Sequence, residues 1–308
     1  MACGCSLRFL RPQLYLTSFT SADLARLLPH FVEHYASCVG VRLDHMHIFV
    51  DDESGGPAAA AARDLLLAAG VPRSGVELVR RAVAFTWDWA RARINRWIVR
   101  LPQDAWVINA DGDEFFAYPC DMPLRARVFH SFCAEMTDRV SSDGTVAEVA
   151  ASPPLASQFP HKCYFRQNIR RSMNRQKIVL MRGRDRYWYD VDKELEVNAK
   201  NRPPHPYVFE GKVIVRQFEN AHRTYLQFGR GRCNHIGEFA HYTMTKEQLH
   251  VLQRGSLKAN HPDPYARKDY AAMRAIMLRH LPNSSNDLRM HPFCPPPRWY
   301  TANSSSKK

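Results

Sequence analysis

Apolar residues along the chain fall either in short unbroken runs or at helical spacing, and the two patterns alternate through the first third of the sequence. Gln13 to Thr17 is a short apolar run and reads as a strand. Ser21 or Asp23 can cap the helix behind it, in which Leu24, Leu27, Leu28, Phe31, Val32 and Tyr35 share a face, with a kink at Pro29 and a stop at Gly40. His45 to Val50 is a second strand that ends in Asp51-Asp52-Glu53-Ser54-Gly55. A helix from Pro57 to Ala69 and a third strand from Val76 to Val79 follow. Thr86 to Leu101 reads as a helix carrying Trp87, Trp89 and Trp97 interleaved with Arg91, Arg93, Asn95 and Arg96. It delivers the chain into a fourth apolar strand that begins at Trp106. Strand and helix in alternation predict an α/β fold whose mixed, mainly parallel sheet is flanked by helices. Further on, Lys177 to Leu180 and Lys212 to Arg216 read as strands. Lys246 to Leu257 and Tyr265 to Leu281 read as helices, the second through Tyr270, Met273, Ile276 and Met277.

With 308 residues, 45% of them hydrophobic and 24% charged, the chain is long enough to bury a full core as one elaborated domain and is not of disordered composition. No apolar run is long enough to span a bilayer, and no secretory signal opens the sequence. The eight cysteines form no Cys-x-x-Cys pair, so they allow disulfides without demanding them. Cys3 and Cys5 sit where acylation could occur, and Asn283 and Asn303 open glycosylation sequons in Ser-rich surroundings. After Pro282 the composition predicts a loosely packed tail.

The net charge of +13 favours anionic partners. Nine Lys or Arg residues lie between Lys162 and Arg186 against the single Asp185, with Tyr164, Phe165 and Met173 among them. No zinc, helix-turn-helix or RNA-recognition signature accompanies them, which argues against sequence-specific nucleic-acid binding. Such a face offsets diphosphate charge or suits peripheral contact with a membrane.

The candidate chemistry lies where apolar strands stop. In open α/β sheets, ligands bind beyond the carboxyl ends of the strands, which places Thr17, Asp51 and Asp52 on that rim. Trp106-Val107-Ile108-Asn109-Ala110 runs into Asp111-Gly112-Asp113-Glu114. Two carboxylates at i, i+2 beside a glycine offer hard oxygen ligands to Mn²⁺ or Mg²⁺, and Gly112 leaves room for a bulky anion. The same Asp-Gly pair is also ordinary turn chemistry. Strand-Asp-x-Asp occurs in phosphohydrolases that use the first Asp as nucleophile. Here at least three strands precede it, and Glu114-Phe115 follows instead of a small hydroxyl residue.

Ile48-Phe49-Val50-Asp51-Asp52-Glu53-Ser54 resembles the strand-plus-Asp segment of inverting GT-A-type glycosyltransferases. Asn95, followed by Trp106 through Asp111-Gly112-Asp113-Glu114-Phe115, resembles their Asn-containing helix and D-x-D strand. Phe31 to Tyr35, Gly40-Val41 and His47-Ile48-Phe49 resemble the opening of glycosyltransferase family 92 and its family-2-like relatives. Gly237-Glu238-Phe239-Ala240-His241-Tyr242 with the helix behind it is similar to their His-Tyr segment. Those relatives often carry a larger side chain where this chain has Gly112.

The resemblance covers residues 13 to about 260. It implies a GT-A-like, Rossmann-like domain over 13–281, with a nucleotide half at 13–120 and an acceptor half at 121–281, after a 1–12 extension and before a 282–308 tail. The implied activity is metal-dependent, inverting transfer of a sugar from a UDP- or GDP-linked donor to a glycan, glycoprotein or glycolipid, in the secretory pathway. A sugar-nucleotide-binding protein without turnover is the alternative on the same fold. By carry-over, Thr17, Asp51, Asp52, Arg93, Asn95 and Asp111 contact the nucleotide. Asp111, Asp113 and His241 hold the ion, with His222 as the competing histidine. The acceptor's general base is sought among Glu238 and Asp190.

Overall fold

The computed structural model describes residues 6–52, 56–80, 93–94, 96–98, 100–129, 131–169, 176–182, 207–209, 212–214, 234–253, 264–282 and 286–294. The Asn95, Asp190 and His222 of the sequence reading lie outside these residues.

Four parallel strands form one half of a nine-stranded sheet: β3 (Val76–Arg80), β2 (Met46–Asp52), β1 (Leu14–Ser21) and β4 (Trp106–Asn109), in that spatial order. The other half is mixed in direction. β8 (Gln176–Arg182) runs antiparallel to both β4 and β6 (Ser131–Val140); β11 (Asn234–His241) lies parallel to β6; and β5 (Glu114–Phe115) closes that edge antiparallel to β11. β7 (His161–Cys163) pairs with β6, while β9 (Tyr207–Phe209) and β10 (Lys212–Ile214) form a separate two-stranded sheet. This is the mixed α/β class that the sequence predicts.

Register sorts the side chains. Leu16 is level with Met46 and Ile108, and these point with Ile48, Val50 and Trp106 into the larger core. That core is closed by α1 (Leu28–Glu33) and α2 (Pro57–Ala68). On the opposite face Phe19, Phe49, Val79 and Val107 meet Ile94 and Ile98, and the partly buried Trp97 packs against them.

The first helix is not a kinked α-helix. Ser21 caps a 3-10 turn, Ala22–Leu27, by accepting from Asp23 N–H; α1 then starts with Pro29 in its first turn; a π-helical stretch, His34–Val39, ends it. Proline is thus used where its missing N–H has no helical partner to lose. α2 takes Pro57 at its start and an alanine run that lies close to the sheet through Ala59, Ala62 and Leu66. Gly40 and Gly70 terminate the two helical segments at φ of 95° and 93°.

Three short helices, α3 (Met122–Val128), α4 (Leu155–Gln158) and α5 (Phe165–Ile169), lie between the strands of the second half. The later elements pack a second core. α6 (Lys246–Gln253) and α7 (Pro264–Arg279) contribute Leu249, Leu252, Met273 and Met277, together with Val140, Cys163, Phe165 and Leu288. Leu288 belongs to the segment that composition assigns to a loose tail. Residues 286–294 are instead pinned to the sheet by a Cys163–Cys294 disulfide, and Tyr164 N donates to Phe293 O at 2.7 Å. Cys38, Cys120 and Cys133 are disulfide-bonded as well, and no described cysteine is free. No described helix is long and apolar enough to cross a membrane.

Candidate active site

β4 stops at Asn109, level with Thr17 in the middle of β1, and the chain turns there. Glu114 N–H donates to Asp111 O at 2.9 Å, so Asp111-Gly112-Asp113-Glu114 is a β-turn packed beside the carboxyl end of β1. Gly112 is required by that packing. A Cβ on it would lie 2.2 Å from Thr20 Oγ1 and 2.9 Å from Thr20 Cβ, so the space that the sequence reading left for an anionic ligand is filled by Thr20. The turn is anchored from the helical side too. Tyr35 Oη donates to Glu114 O at 3.0 Å and accepts from Phe116 N at 3.3 Å.

The two acids of the turn have different partners. Asp111 lies beside Lys177, with Nζ 3.4 Å from Oδ2, and Lys177 also donates to Glu114. Burial pushes the Glu114 carboxyl up to about 7, the nearby Asp111 charge adds to this, and Lys177 and His241 oppose it. Burial would lower Lys177, yet the charges of Asp111 and Glu114 outweigh it and raise its pKa.

Asp113 is 4% exposed and turned toward the end of β11. Its Oδ2 lies 3.2 Å from His241 Nε2 and accepts from Gln248, while its backbone oxygen accepts from Tyr242 N–H at 2.9 Å. Gln248 is in the first turn of α6. Thr245 accepts its N–H, as in a capping box, but the glutamine side chain reaches Asp113.

Behind the histidine stands Asp138 of β6, 1% exposed, with Oδ1 3.0 Å from His241 Nδ1 and 2.6 Å from the Thr243 hydroxyl that donates to it. A carboxylate only accepts, so the imidazole proton belongs on Nδ1. Nε2 then presents its lone pair to a carboxylate oxygen at 3.2 Å, an arrangement that calls for a cation between them. A proton there makes an ion pair. A divalent ion with bonds of about 2.1 Å and ligands at right angles needs them about 3 Å apart, so Asp113 and His241 fit it. Among the described residues no group of three or more His, Cys, Asp or Glu side chains surrounds one point. Two protein ligands suffice for an ion that takes its remaining positions from phosphate oxygens and water.

The other sequence candidates are distributed as follows. Asp51 is the penultimate residue of β2, level with Ser21 of β1 and 6% exposed; Asp52 is the last residue of that strand. Thr17 is fully buried, and neither its Oγ1 nor Asn109 Oδ1 beside it has a hydrogen-bond partner among the described residues. Arg93 donates to Glu77, the second residue of β3, and so is held on the flank of the sheet below the rim. Glu238 pairs with Lys162 at 2.9 Å and accepts from Tyr164. Three residues before His241 on one strand, it faces the other side of the sheet.

The sequence reading missed Asp138, Lys177 and Gln248. Asp138 did leave a signal: Phe132, Ala134, Met136 and Val140 mark the apolar face of β6, and the acid interrupts it.

No family model matches the chain, and no curated protein matches it. Among solved structures, a fragment of TarS from S. aureus is 12% identical with a TM-score of 0.30, and the match covers 86% of this chain and 71% of that one. A nucleoside-diphosphate-sugar pyrophosphorylase from Vibrio cholerae is 10% identical with a TM-score of 0.36, covering 78% and 100%. Glucosyl-3-phosphoglycerate synthase from Mycobacterium tuberculosis, in complex with Mn²⁺, uridine diphosphate and phosphoglyceric acid, is 15% identical with a TM-score of 0.33, covering 84% and 83%. Likeness at this depth carries no argument about activity.

Proposed function

We propose that the chain is a metal-dependent glycosyltransferase that takes a sugar from a UDP- or GDP-linked donor and passes it, with inversion, to a hydroxyl of a glycan, glycoprotein or glycolipid. The observation that carries this reading is the gap between Asp113 Oδ2 and His241 Nε2, which is sized for a cation and backed by a buried carboxylate. Asp113 and His241 would hold Mn²⁺ or Mg²⁺ there, and the bound ion would supply charge stabilisation to a departing diphosphate. Asp138 keeps the histidine's tautomer and orientation, as an acid behind a metal-binding imidazole does. Asp111, the more open of the two turn acids, accepts from a hydroxyl of the ribose, and Asp51 reads the nucleoside from the end of β2. Glu238, held by Lys162 on the far face, is given no part in the transfer. The disulfides support folding in an oxidising compartment such as the secretory pathway.

The test is nucleoside diphosphate release from a panel of UDP- and GDP-sugars with Mn²⁺, repeated with EDTA and with Asp113→Ala. Release that depends on the ion and on Asp113 is expected. No release or binding with any donor overturns the proposal. Turnover of a phosphomonoester, lost in Asp111→Asn, would replace it with a hydrolase.

A further inference from the structure

Lys177 opens the apolar stretch of β8 and, level with Ala134 of β6, points into the same core. Its side chain is 2% exposed and Glu114's is 1% exposed, whereas Asp111 keeps 25% of its side chain in solvent. The ammonium holds Asp111 in two ways. It faces the carboxylate directly at 3.4 Å, and it grips Glu114, whose Oε2 in turn accepts the Asp111 backbone N–H at 2.9 Å. Because desolvation offsets so much of the attraction in a buried ion pair, such a pair is a poor source of stability. What this one secures is the placement of the acid at its open end. Three carboxylates within four residues would also repel a diphosphate, and Lys177 offsets part of that charge.

We propose that Lys177 is a positioning residue for the nucleotide, holding the Asp111 carboxylate at the carboxyl edge of the sheet for the nucleoside diphosphate without touching that ligand itself. The inference rests on the nucleotide-sugar reading above.

Lys177→Met alone strands the Glu114 carboxylate in the core and destabilises the fold. The test therefore uses the paired variant Lys177→Met/Glu114→Gln, which removes the buried charges together and recovers stability relative to the single change. Affinities for UDP and GDP with Mn²⁺ are measured by calorimetry for the unsubstituted chain, the paired variant, Asp111→Asn and the triple variant. The paired variant is expected to bind the preferred nucleotide about tenfold more weakly, and Asp111→Asn to lose nothing further when combined with it, since both act through one carboxylate. Mn²⁺ affinity without nucleotide, set by Asp113 and His241, is expected to change less than about threefold. Unchanged nucleotide affinity in the folded paired variant overturns the inference, because the cluster is then purely structural. Additive losses also overturn it, because Lys177 then meets the phosphates itself. If the unsubstituted chain binds neither nucleotide, the nucleotide-sugar reading fails and takes this inference with it, whereas the first two outcomes leave that reading standing.

Discussion

Asp138 Oδ1 lies 3.0 Å from His241 Nδ1, on a face of β6 that otherwise carries Phe132, Ala134, Met136 and Val140. An acid that accepts from both an imidazole and the Thr243 hydroxyl in such a setting fixes which ring nitrogen carries the proton. The other nitrogen, Nε2, faces Asp113 Oδ2 at 3.2 Å.

Asp138→Asn tests that relationship. The amide keeps the shape but can donate to Nδ1, which shifts the ring proton to Nε2, where it competes with a metal ion. Mn²⁺ affinity, followed by paramagnetic resonance titration, is expected to fall about 10- to 100-fold with the fold retained. Equal affinity in the two proteins would show that His241 does not depend on Asp138.

Gly112 distinguishes a packed turn from an open one. With Thr20 Oγ1 only 2.2 Å from where a Cβ would sit, Gly112→Ala is expected to destabilise the chain by about 1–3 kcal/mol in urea denaturation. Adding Thr20→Ala is expected to return part of that. Had the glycine been there to admit a ligand, the substitution would weaken nucleotide binding at unchanged stability.

The positions of Asp51, Asp111 and Asp113 at or just beyond the ends of apolar strands were legible in the sequence, because that is a local pattern. Their partners were not. Lys177 reaches Glu114 from 63 positions away, Asp138 reaches His241 from 103 and Gln248 reaches Asp113 from 135, and spacing along a chain says nothing at that range. Lys177 was further hidden in a basic run whose obvious reading is a solvated face, although its place in the strand puts it on the core side. β6 was missed because Cys133, Thr137 and Asp138 blur its alternation. Strands β1, β2 and β4, largely buried and rich in Val, Ile, Leu and aromatics, were plain, and β3 read as a strand although Leu78 is exposed at the edge of the sheet. The Pro/Ser-rich composition after Pro282 masked a packed segment, since one disulfide and Leu288 hold it without any periodic pattern.

That segment yields a third prediction. The Cys163–Cys294 bond closes a separation of 131 residues, and Leu288 N–H also donates to Gly144 O at 2.8 Å. Cys294→Ser is expected to lower stability by about 2–5 kcal/mol and to expose the chain around residues 286–294 to limited proteolysis. Cleavage no faster than in the parent chain would mean that the packing of Leu288 and Phe293 suffices without the bond.

His34 gives the fold a pH dependence of its own. Its Nε2 donates to Phe116 O at 2.8 Å, just beyond the acidic turn, and the ring packs against Tyr35 and Phe115. Burial lowers its pKa to about 4, although the Phe116 carbonyl favours the charged ring. An unfolded histidine takes its proton near 6.5. Between these two values the unfolded chain binds more protons than the folded one, so the contribution is complete above pH 6.5 and is lost as the pH falls toward 4. The ring keeps some exposure, which discounts the full effect to about 2–3 kcal/mol. In the His34→Gln variant the side-chain amide preserves a donor to Phe116 and has no charge to gain. Urea denaturation at pH 7.5, 5.5 and 4 should therefore show the parent losing stability relative to His34→Gln as the pH drops. Parallel profiles would mean that the ring accepts its proton inside the fold as readily as outside it.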